Sequence, residues 1–293
     1  MYIATLIGAP GQGGVAPALL RQVCAAWGGG RARWLADDEA AEFALSTWPG
    51  DYGDTWQALQ QQGVDLVLQP AGERRKRILL ADMDGTMIGQ ESIDELAKAA
   101  GAAEAVARIT ARAMNGQLDF ATALVQRVRY LRGLRYESIA QILAQRIRLT
   151  PGARVLVATM KAHGAYAALV SGGFTDVAEH VASALGFDEH RANRLQVVGA
   201  VLTGEVEPPI LGQEAKRTAL QAIASRLGLS PADALAVGDG ANDGPMLAAA
   251  GIGVAFRAKP ALAAQCPMRI THGDLRALLY LQGYHRAEFA PPC

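Results

Sequence analysis

Three apolar runs along the chain break off in the same way. Ile78-Leu79-Leu80-Ala81 gives way to Asp82-Met83-Asp84-Gly85-Thr86, and Tyr166-Ala167-Ala168-Leu169-Val170 gives way to Ser171-Gly172-Gly173. Ala234-Leu235-Ala236-Val237-Gly238 is followed by Asp239-Gly240-Ala241-Asn242-Asp243. Short uninterrupted apolar runs predict strands covered on both faces, as in a parallel sheet. Carboxylates, a hydroxyl and glycines begin where each strand stops. Side chains alternate along extended chain, so Asp82 and Asp84 leave the first strand on one side while Met83 turns back toward the core.

Between the strands the period changes. From Ser92 to about Arg148 apolar residues recur at helical spacing, as in Ile93, Leu96, Ala97 and Ala100, and again in Ile139, Ile142, Leu143 and Ile147. This predicts an all-helical insertion after the first strand. Ser92 and Glu95 have capping-box spacing, so the first helix is expected to start with Ser92 as N-cap, leaving Glu91 beside the carboxylate mouth. In a later helix Phe120, Leu124, Arg127 and Leu131 follow 4-3-4 spacing, which places Arg127 in the apolar stripe. A cation there either meets a carboxylate or lays its stem over the core with its head in water. Thr150-Pro151-Gly152 reopens the α/β pattern, with Thr150 expected as cap and Pro151 in the first helical position. Residues Leu195 to Val206 read as a hairpin, and a helix from about Gln213 to Leu227 carries Lys216 in its first turn. The helix dipole already supplies positive charge there, so Lys216 is either solvated or aimed at an anion.

Residues 1–70 predict a small α/β unit, with strands from Tyr2 to Ile7 and Val64 to Leu68 and helices from Val15 to Trp27 and Thr55 to Gln62. Its opening, Gly8-Ala9-Pro10-Gly11-Gln12-Gly13-Gly14, stands where a phosphate-cradling loop would. It lacks a Gly-Lys-Ser/Thr ending, and Pro10 removes a backbone donor, so it reads as a flexible turn. The run Glu73-Arg74-Arg75-Lys76-Arg77 marks a boundary and reads as a solvated linker. The expected organisation is an N-terminal unit over 1–70, a catalytic core over 71–91 and 150–293, and a helical cap over 92–149.

Composition narrows the chemistry. With 293 residues, 51% of them apolar, the chain can build a sizeable core. Lys plus Arg and Asp plus Glu are equal at 28 each, so no global field draws nucleic acid or an anionic membrane. Cys24, Cys266 and Cys293 form neither a metal pattern nor a disulfide framework, and the five histidines lack ligand spacing. With no signal-like N-terminus and no membrane-length apolar run, a cytoplasmic protein is expected.

Ligands of open α/β sheets sit outside the carboxyl ends of the strands, so Asp82, Asp84, Ser171, Asp239 and Asp243 should meet in one crevice with Lys216. A carboxylate-rich set with a hydroxyl and a lysine suits a hard cation, Mg²⁺, together with a phosphate. Such a set performs phosphoryl transfer.

In order and spacing, Asp82-Met83-Asp84-Gly85-Thr86, Ser171-Gly172-Gly173, Lys216 and Gly238-Asp239-Gly240-Ala241-Asn242-Asp243 resemble the four motifs of haloacid dehalogenase-type phosphatases. The resemblance spans about Arg77 to Gln282. Glu91-Ser92-Ile93-Asp94-Glu95-Leu96-Ala97, the Asp119-Phe120 to Arg127-Val128 segment and Ser171-Gly172-Gly173-Phe174 are similar to the phosphoserine phosphatase branch of that superfamily. The resemblance implies a Rossmann-like α/β core with a helical cap, acting on O-phospho-L-serine in the last step of serine biosynthesis. Asp82 would attack phosphorus and Asp84 would serve as acid and base. Mg²⁺ would be held by the Asp82 carboxylate, the Asp84 backbone carbonyl and Asp239, with Asp243 ordering the shell. Ser171, the Gly172 backbone and Lys216 would grip the phosphoryl oxygens, with Asn242 close by. Glu91 would take the substrate's ammonium and Arg127 its carboxylate, with Phe120 packing nearby.

Many members of that branch carry ligand-sensing ACT domains at the N-terminus, and residues 1–70 stand as a shortened, degenerate ACT-like unit. One residue departs from the branch pattern, which has serine where this chain has Gly85. A pocket widened by that glycine would favour another small phosphomonoester. A non-catalytic phosphoaspartyl signalling or metabolite-binding protein is the alternative of a different class, and retention of Asp84 argues against it.

Overall fold

The apolar runs form a parallel sheet. The computed structural model describes residues 1–11, 14–114 and 117–291; Gln12 and Gly13 of the glycine-rich loop, and Cys293, lie outside the described residues. The N-terminal unit comprises β1 (Tyr2–Gly8), α1 (Pro17–Ala26), β2 (Arg33–Ala36), β3 (Ala40–Leu45), α2 (Tyr52–Gln61) and β4 (Val64–Pro70). After β5 (Ile78–Ala81) come four helices, α3 (Ser92–Ala99), α4 (Ala103–Met114), α5 (Phe120–Val128) and α6 (Tyr136–Arg146). They match the expected insertion. The chain returns through α7 (Ala153–Ala162), β6 (Tyr166–Phe174), α8 (Thr175–Leu185), β7 (Glu189–Asn193) and the hairpin β8 (Leu195–Val198) and β9 (Val201–Val206). It ends with α9 (Gln213–Arg226), β10 (Ala234–Gly238), α10 (Gly244–Ala249), β11 (Ile252–Phe256), α11 (Pro260–Ala263), β12 (Arg269–Ile270) and α12 (Ala277–Leu281).

Six parallel strands in the order β12-β11-β10-β5-β6-β7 make the main sheet. The first strand in sequence, β5, lies between β10 and β6. The three strands that end in chemistry are thus neighbours, and their polar ends share one edge. β5 is wholly buried, as an apolar run covered on both faces must be.

The N-terminal unit is a four-stranded antiparallel sheet in the order β2-β3-β1-β4, with two helices on one face. This is the βαββαβ arrangement of split βαβ folds. The hairpin of β2 and β3 is absent from the sequence reading. Its Ala, Glu and Leu content favours helix, and pairing with β1 overrides that preference.

This sheet is buried on both faces, and β4 shows how. Val64, Leu66 and Leu68 pack with Leu20, Val23 and Leu59 of the unit's own helices. The alternate residues Asp65, Val67 and Gln69 face the body built on the six-stranded sheet. Asp65 accepts backbone N–H bonds from Thr271, His272 and Gly273 at 2.9, 3.0 and 2.8 Å, and Gln69 donates to Leu281 O at 2.7 Å. Glu39 meets Tyr280, Arg276 and Arg286.

The basic run 73–77 is solvated only in part: Glu73, Arg75 and Arg77 are exposed, while Arg74 and Lys76 are half-buried. Arg74 pairs with the buried Glu42 at 2.7 Å, and Arg75 pairs with Glu288 at 2.6 Å and lies over the Tyr284 ring. Lys76 donates to Glu73 O and Ala232 O. Arg74, Arg75 and Lys76 thus tie the segment to both the N-terminal unit and the main body.

Two predicted helix starts also shift. Ser92 is the first residue of α3 and Glu91 is its N-cap residue, while Glu95 pairs with Lys98 and Arg146. Thr150 and Pro151 precede α7, whose N-cap is Gly152 at φ +83°. A Cβ on Gly152 would meet the Arg276 backbone nitrogen and an Asp274 oxygen at 2.7 Å.

Candidate active site

The ends of β5, β6 and β10 and the first turn of α9 converge. Asp82, Ser171, Lys216, Asp239 and Asp243 are all buried. Lys216 Nζ lies 2.5 Å from Asp82 Oδ1 and 2.6 Å from Asp243 Oδ1, so the cation in the first helical turn is aimed at anions and not at water. Oxygens of Asp82, Asp239 and Asp243 all lie within 4.8 Å of one another. Asp243 has both oxygens engaged, Oδ1 by Lys216 and Oδ2 by the backbone N–H groups of Asp239 and Gly240 at 3.1 and 3.0 Å. That fixes the turn carrying Asp239.

Asp82 and Asp243 share Lys216 while Asp239 crowds both, and the excess of negative charge appears in the protonation of Asp82 and Asp239. Burial, with Asp243 and Asp239 nearby, holds the Asp82 carboxyl well above its ordinary range despite Lys216. Burial also raises Asp239 to about 6, Lys259 opposing and Asp243 adding to the shift. The two carboxylates on Lys216 raise its own pKa against the effect of burial. An oxygen-only set with excess negative charge fits a hard divalent cation such as Mg²⁺.

Asp84 sits at the rim in different surroundings. Ser92 Oγ donates to Asp84 Oδ2 at 2.8 Å and the Ser92 backbone N–H to Oδ1 at 3.2 Å. This is where the Ser92 hydroxyl goes in place of the predicted helix cap. Burial and the nearby Glu91 charge raise Asp84 to about 7, Ser92 opposing. A carboxyl poised near neutrality can both give and take a proton.

Gly85 has φ +71°, and a Cβ there would meet Asp239 Oδ2 at 2.4 Å. The glycine makes room for a carboxylate of the acidic cluster. Ser171 Oγ accepts the Gly173 N–H at 2.9 Å, tightening the turn after β6. A Cβ on Gly172 would meet Phe120 Cζ at 2.6 Å, so the cap's Phe120 rests directly on this loop. Asn242, on the turn after β10, is half-buried beside Gly240.

Arg127, on α5, is half-buried, and its Nε donates to Ala123 O at 3.2 Å. Among the described residues no carboxylate lies within ion-pair distance of it. Burial lowers its pKa against the more distant pull of Glu91, Asp94 and Asp84. Glu91 has a partner the sequence reading missed: Lys259 Nζ lies 2.7 Å from Glu91 Oε1 and 3.3 Å from Asp239 Oδ2. Asn193 was missed too. It is buried, donates to Gly172 O at 2.9 Å and accepts the Leu211 N–H at 2.7 Å, tying the loop after β6 to the approach to α9. Lys259 follows the end of β11, so the strand-end rule that found the aspartates could have found it; Asn193, on an edge strand, carried no such signal.

Comparison with known proteins agrees with this geometry. The model of haloacid dehalogenase-like hydrolases matches residues 79–248, which span the acidic motifs and Lys216. The chain is 40% identical over 253 residues to a phosphoserine phosphatase of Mycobacterium tuberculosis, covering 84% of this chain and 62% of that protein. It is 42% identical over 200 residues to a phosphoserine phosphatase of Streptococcus thermophilus, covering 68% of this chain and 93% of that one. The chain thus spans less than two thirds of the first relative's length and nearly all of the second's. Among solved structures, a HAD family hydrolase from Salmonella enterica superposes with a TM-score of 0.85 at 26% identity, over 96% of this chain and 98% of that one. Acidic strand ends, buried lysine and cap all fall within these matches, and the chain belongs to the haloacid dehalogenase-like hydrolase family.

Proposed function

We propose that the chain is a cytoplasmic, Mg²⁺-dependent phosphatase that hydrolyses O-phospho-L-serine to L-serine and phosphate, the last step of serine biosynthesis. The observation that carries the substrate is Arg127, a half-buried guanidinium of the cap with no carboxylate among the described residues in ion-pair contact, though Glu91, Asp94 and Asp84 pull on it from farther off. A substrate carboxylate would supply the missing anion in a bidentate clamp. Glu91 offers the complementary acceptor for an ammonium, and the named activity of the two relatives supports the same substrate.

In this reading Asp82 attacks phosphorus in its ionised form, which Lys216 Nζ at 2.5 Å favours against burial, and an aspartyl-phosphate forms as the seryl oxygen leaves. Asp84, held by Ser92, gives its proton to that oxygen and then takes one from the water that cleaves the acyl-phosphate. Ser171, the Gly172 backbone, Lys216 and Asn242 hold the phosphoryl oxygens, and Phe120 excludes water above Gly172. Asp82, the Asp84 carbonyl and Asp239 would hold Mg²⁺, which offsets charge on the phosphoryl group, with Asp243 ordering the turn. Residues 92–149 act as the cap and residues 1–70 as a degenerate ACT-like unit fixed to the core at 71–91 and 150–293.

The test is phosphate release from O-phospho-L-serine, phosphothreonine, phosphoethanolamine, a sugar phosphate and phenyl phosphate, with Mg²⁺ and with EDTA, for the wild type and Arg127→Ala. The wild type should prefer phosphoserine and need Mg²⁺. Arg127→Ala should lower kcat/KM for phosphoserine roughly a hundredfold, with a much smaller loss on phenyl phosphate. Equal losses on both esters would remove the carboxylate contact.

A further inference from the structure

One cation spans the gap between the acidic cluster and the entrance to the cap. Lys259 is anchored through its backbone, whose N–H donates to Asp239 O at 2.8 Å, and Pro260 fixes the chain just beyond it. Its ammonium reaches across to Glu91, the N-cap residue of the first cap helix, and touches Asp239 on the way. The Glu91 side chain makes no capping bond with its helix. Among the described residues Lys259 is its only side-chain partner.

We infer that Lys259 is a positioning residue for substrate recognition: it holds Oε1 of Glu91 and leaves Oε2 turned to the substrate's ammonium. This rests on the proposed role of Glu91. A carboxylate has about four lone-pair sites, and the lysine occupies one oxygen, so a second ammonium can bind without displacing it. A half-exposed glutamate on its own would lose its rotamer freedom only when substrate arrived; one already held has lost it beforehand. Lys259 also sets the charge of the mouth. Asp84, Glu91 and Asp239 lie together there, and without Lys259 that field would attract any cation, whereas with it the added ammonium must sit at the one oriented oxygen. The competing role is that of a counter-ion to Asp239, displaced when a metal binds.

Lys259→Met, Lys259→Arg and Glu91→Gln separate these roles. Steady-state kinetics with O-phospho-L-serine and phenyl phosphate give the discrimination ratio, and calorimetric titration with MgCl₂ gives metal affinity apart from activity. Lys259→Met should raise KM for phosphoserine about tenfold with a much smaller change in kcat, so that the ratio falls by a similar factor. Lys259→Arg should restore most of the ratio. In the Glu91→Gln background Lys259→Met should cost less than about twofold more, since both changes act through one carboxylate. A ratio left intact by Lys259→Met while Mg²⁺ binds more tightly would overturn the inference in favour of the counter-ion role, as would an undiminished effect in Glu91→Gln. If Glu91→Gln alone leaves the ratio intact, the ammonium assignment fails and this inference fails with it. Should Lys259→Met fold poorly, Lys259→Gln gives the same readings.

Discussion

Two clusters of buried carboxylates sit in this molecule, and they are built on opposite principles. At the seam between the N-terminal unit and the core, Asp65 takes three backbone N–H bonds and one from Gln60, and Glu42 lies between Arg74 and Arg33. At the ends of the main strands, Asp82 and Asp243 share Lys216, and Asp239 beside them meets Lys259 at the edge. Burial favours the neutral acid in both places. At Glu42 the two arginines win and its pKa falls, whereas Asp82, Asp84 and Asp239 are all raised. A buried charge that is fully compensated holds structure together; one left under-compensated awaits a cation or a substrate.

Asp82→Asn and Asp65→Asn would break this contrast most sharply. Asp82→Asn should abolish turnover, by at least about a thousandfold in kcat, while leaving the metal-free protein as stable as the wild type or more so, because one of several mutually repelling carboxylates is gone. Asp65→Asn should lower stability by roughly 2–4 kcal/mol, since an amide turned to three N–H donors cannot accept from all of them. Phosphate release and urea unfolding measured on both variants check the pair. A destabilised Asp82→Asn and a neutral Asp65→Asn would reverse the assignment.

Lys216→Met comes next. It removes the one cation between Asp82 and Asp243 and should cost about 3–5 kcal/mol in EDTA, the penalty for leaving buried charge unpaired. Mg²⁺ should recover part of that loss, because the same carboxylates can neutralise themselves on a divalent ion. Thermal unfolding with and without Mg²⁺ reads both quantities.

Metal and pH separate the clusters again with a smaller effect. A hundredfold excess of Mg²⁺ over its dissociation constant should stabilise the wild type by about 2.7 kcal/mol. Asp84 at about 7 and Asp239 at about 6 are raised above the ordinary carboxylate value of 3.8, so in EDTA the native state holds protons that the unfolded chain has released. Their stabilisation is fully present below the unfolded pKa and is lost as pH rises through 6 and 7. Mg²⁺ requires the ionised forms, so its stabilisation should grow over the same interval. A melting temperature in EDTA that climbed from pH 5.5 to 7.5 would contradict the raised carboxyls.

How far the sequence could be read follows the same division. β5, β6 and β10 are continuous apolar runs whose breaks fall on the site, so the strands and the aspartates were legible together. α5 announced Arg127 because a cation interrupted an apolar stripe. β2 and β3 were hidden by helix-favouring Ala, Glu and Leu, and β7, Glu-His-Arg-Ala-Asn, is a polar edge strand with no apolar pattern to see. The seam was misread for a physical reason. Arg74 and Arg75 look like solvent charges until Glu42, Glu288 and Tyr284 arrive from residues 32 to 213 positions away. Ser92 had the spacing of a helix cap, but the stronger acceptor Asp84, eight residues before it, took its hydroxyl. Local spacing finds what a segment offers, and tertiary structure decides which partner accepts it.

The smallest effect is expected at Glu42, with the opposite sign of pH dependence from the active-site carboxylates. Burial raises its pKa, but Arg74 and then Arg33 more than offset this, so in the native state it lies below the ordinary glutamate value of 4.5. A depressed carboxyl contributes stability above its unfolded pKa and loses it as pH falls through the folded one. The seam should therefore weaken in acid, below about pH 4.5, and not in the neutral range where Asp84 and Asp239 titrate. All four tryptophans, Trp27, Trp34, Trp48 and Trp56, lie in the N-terminal unit, so their fluorescence reports this region while the catalytic body stays dark. Glu42→Gln should lower the unit's stability at pH 7 by about 1 kcal/mol and flatten the acid dependence of the tryptophan signal. If the variant kept the wild-type acid transition, Glu42 would not be the group that holds the seam, and Asp65 with its three N–H donors would be left as the remaining candidate.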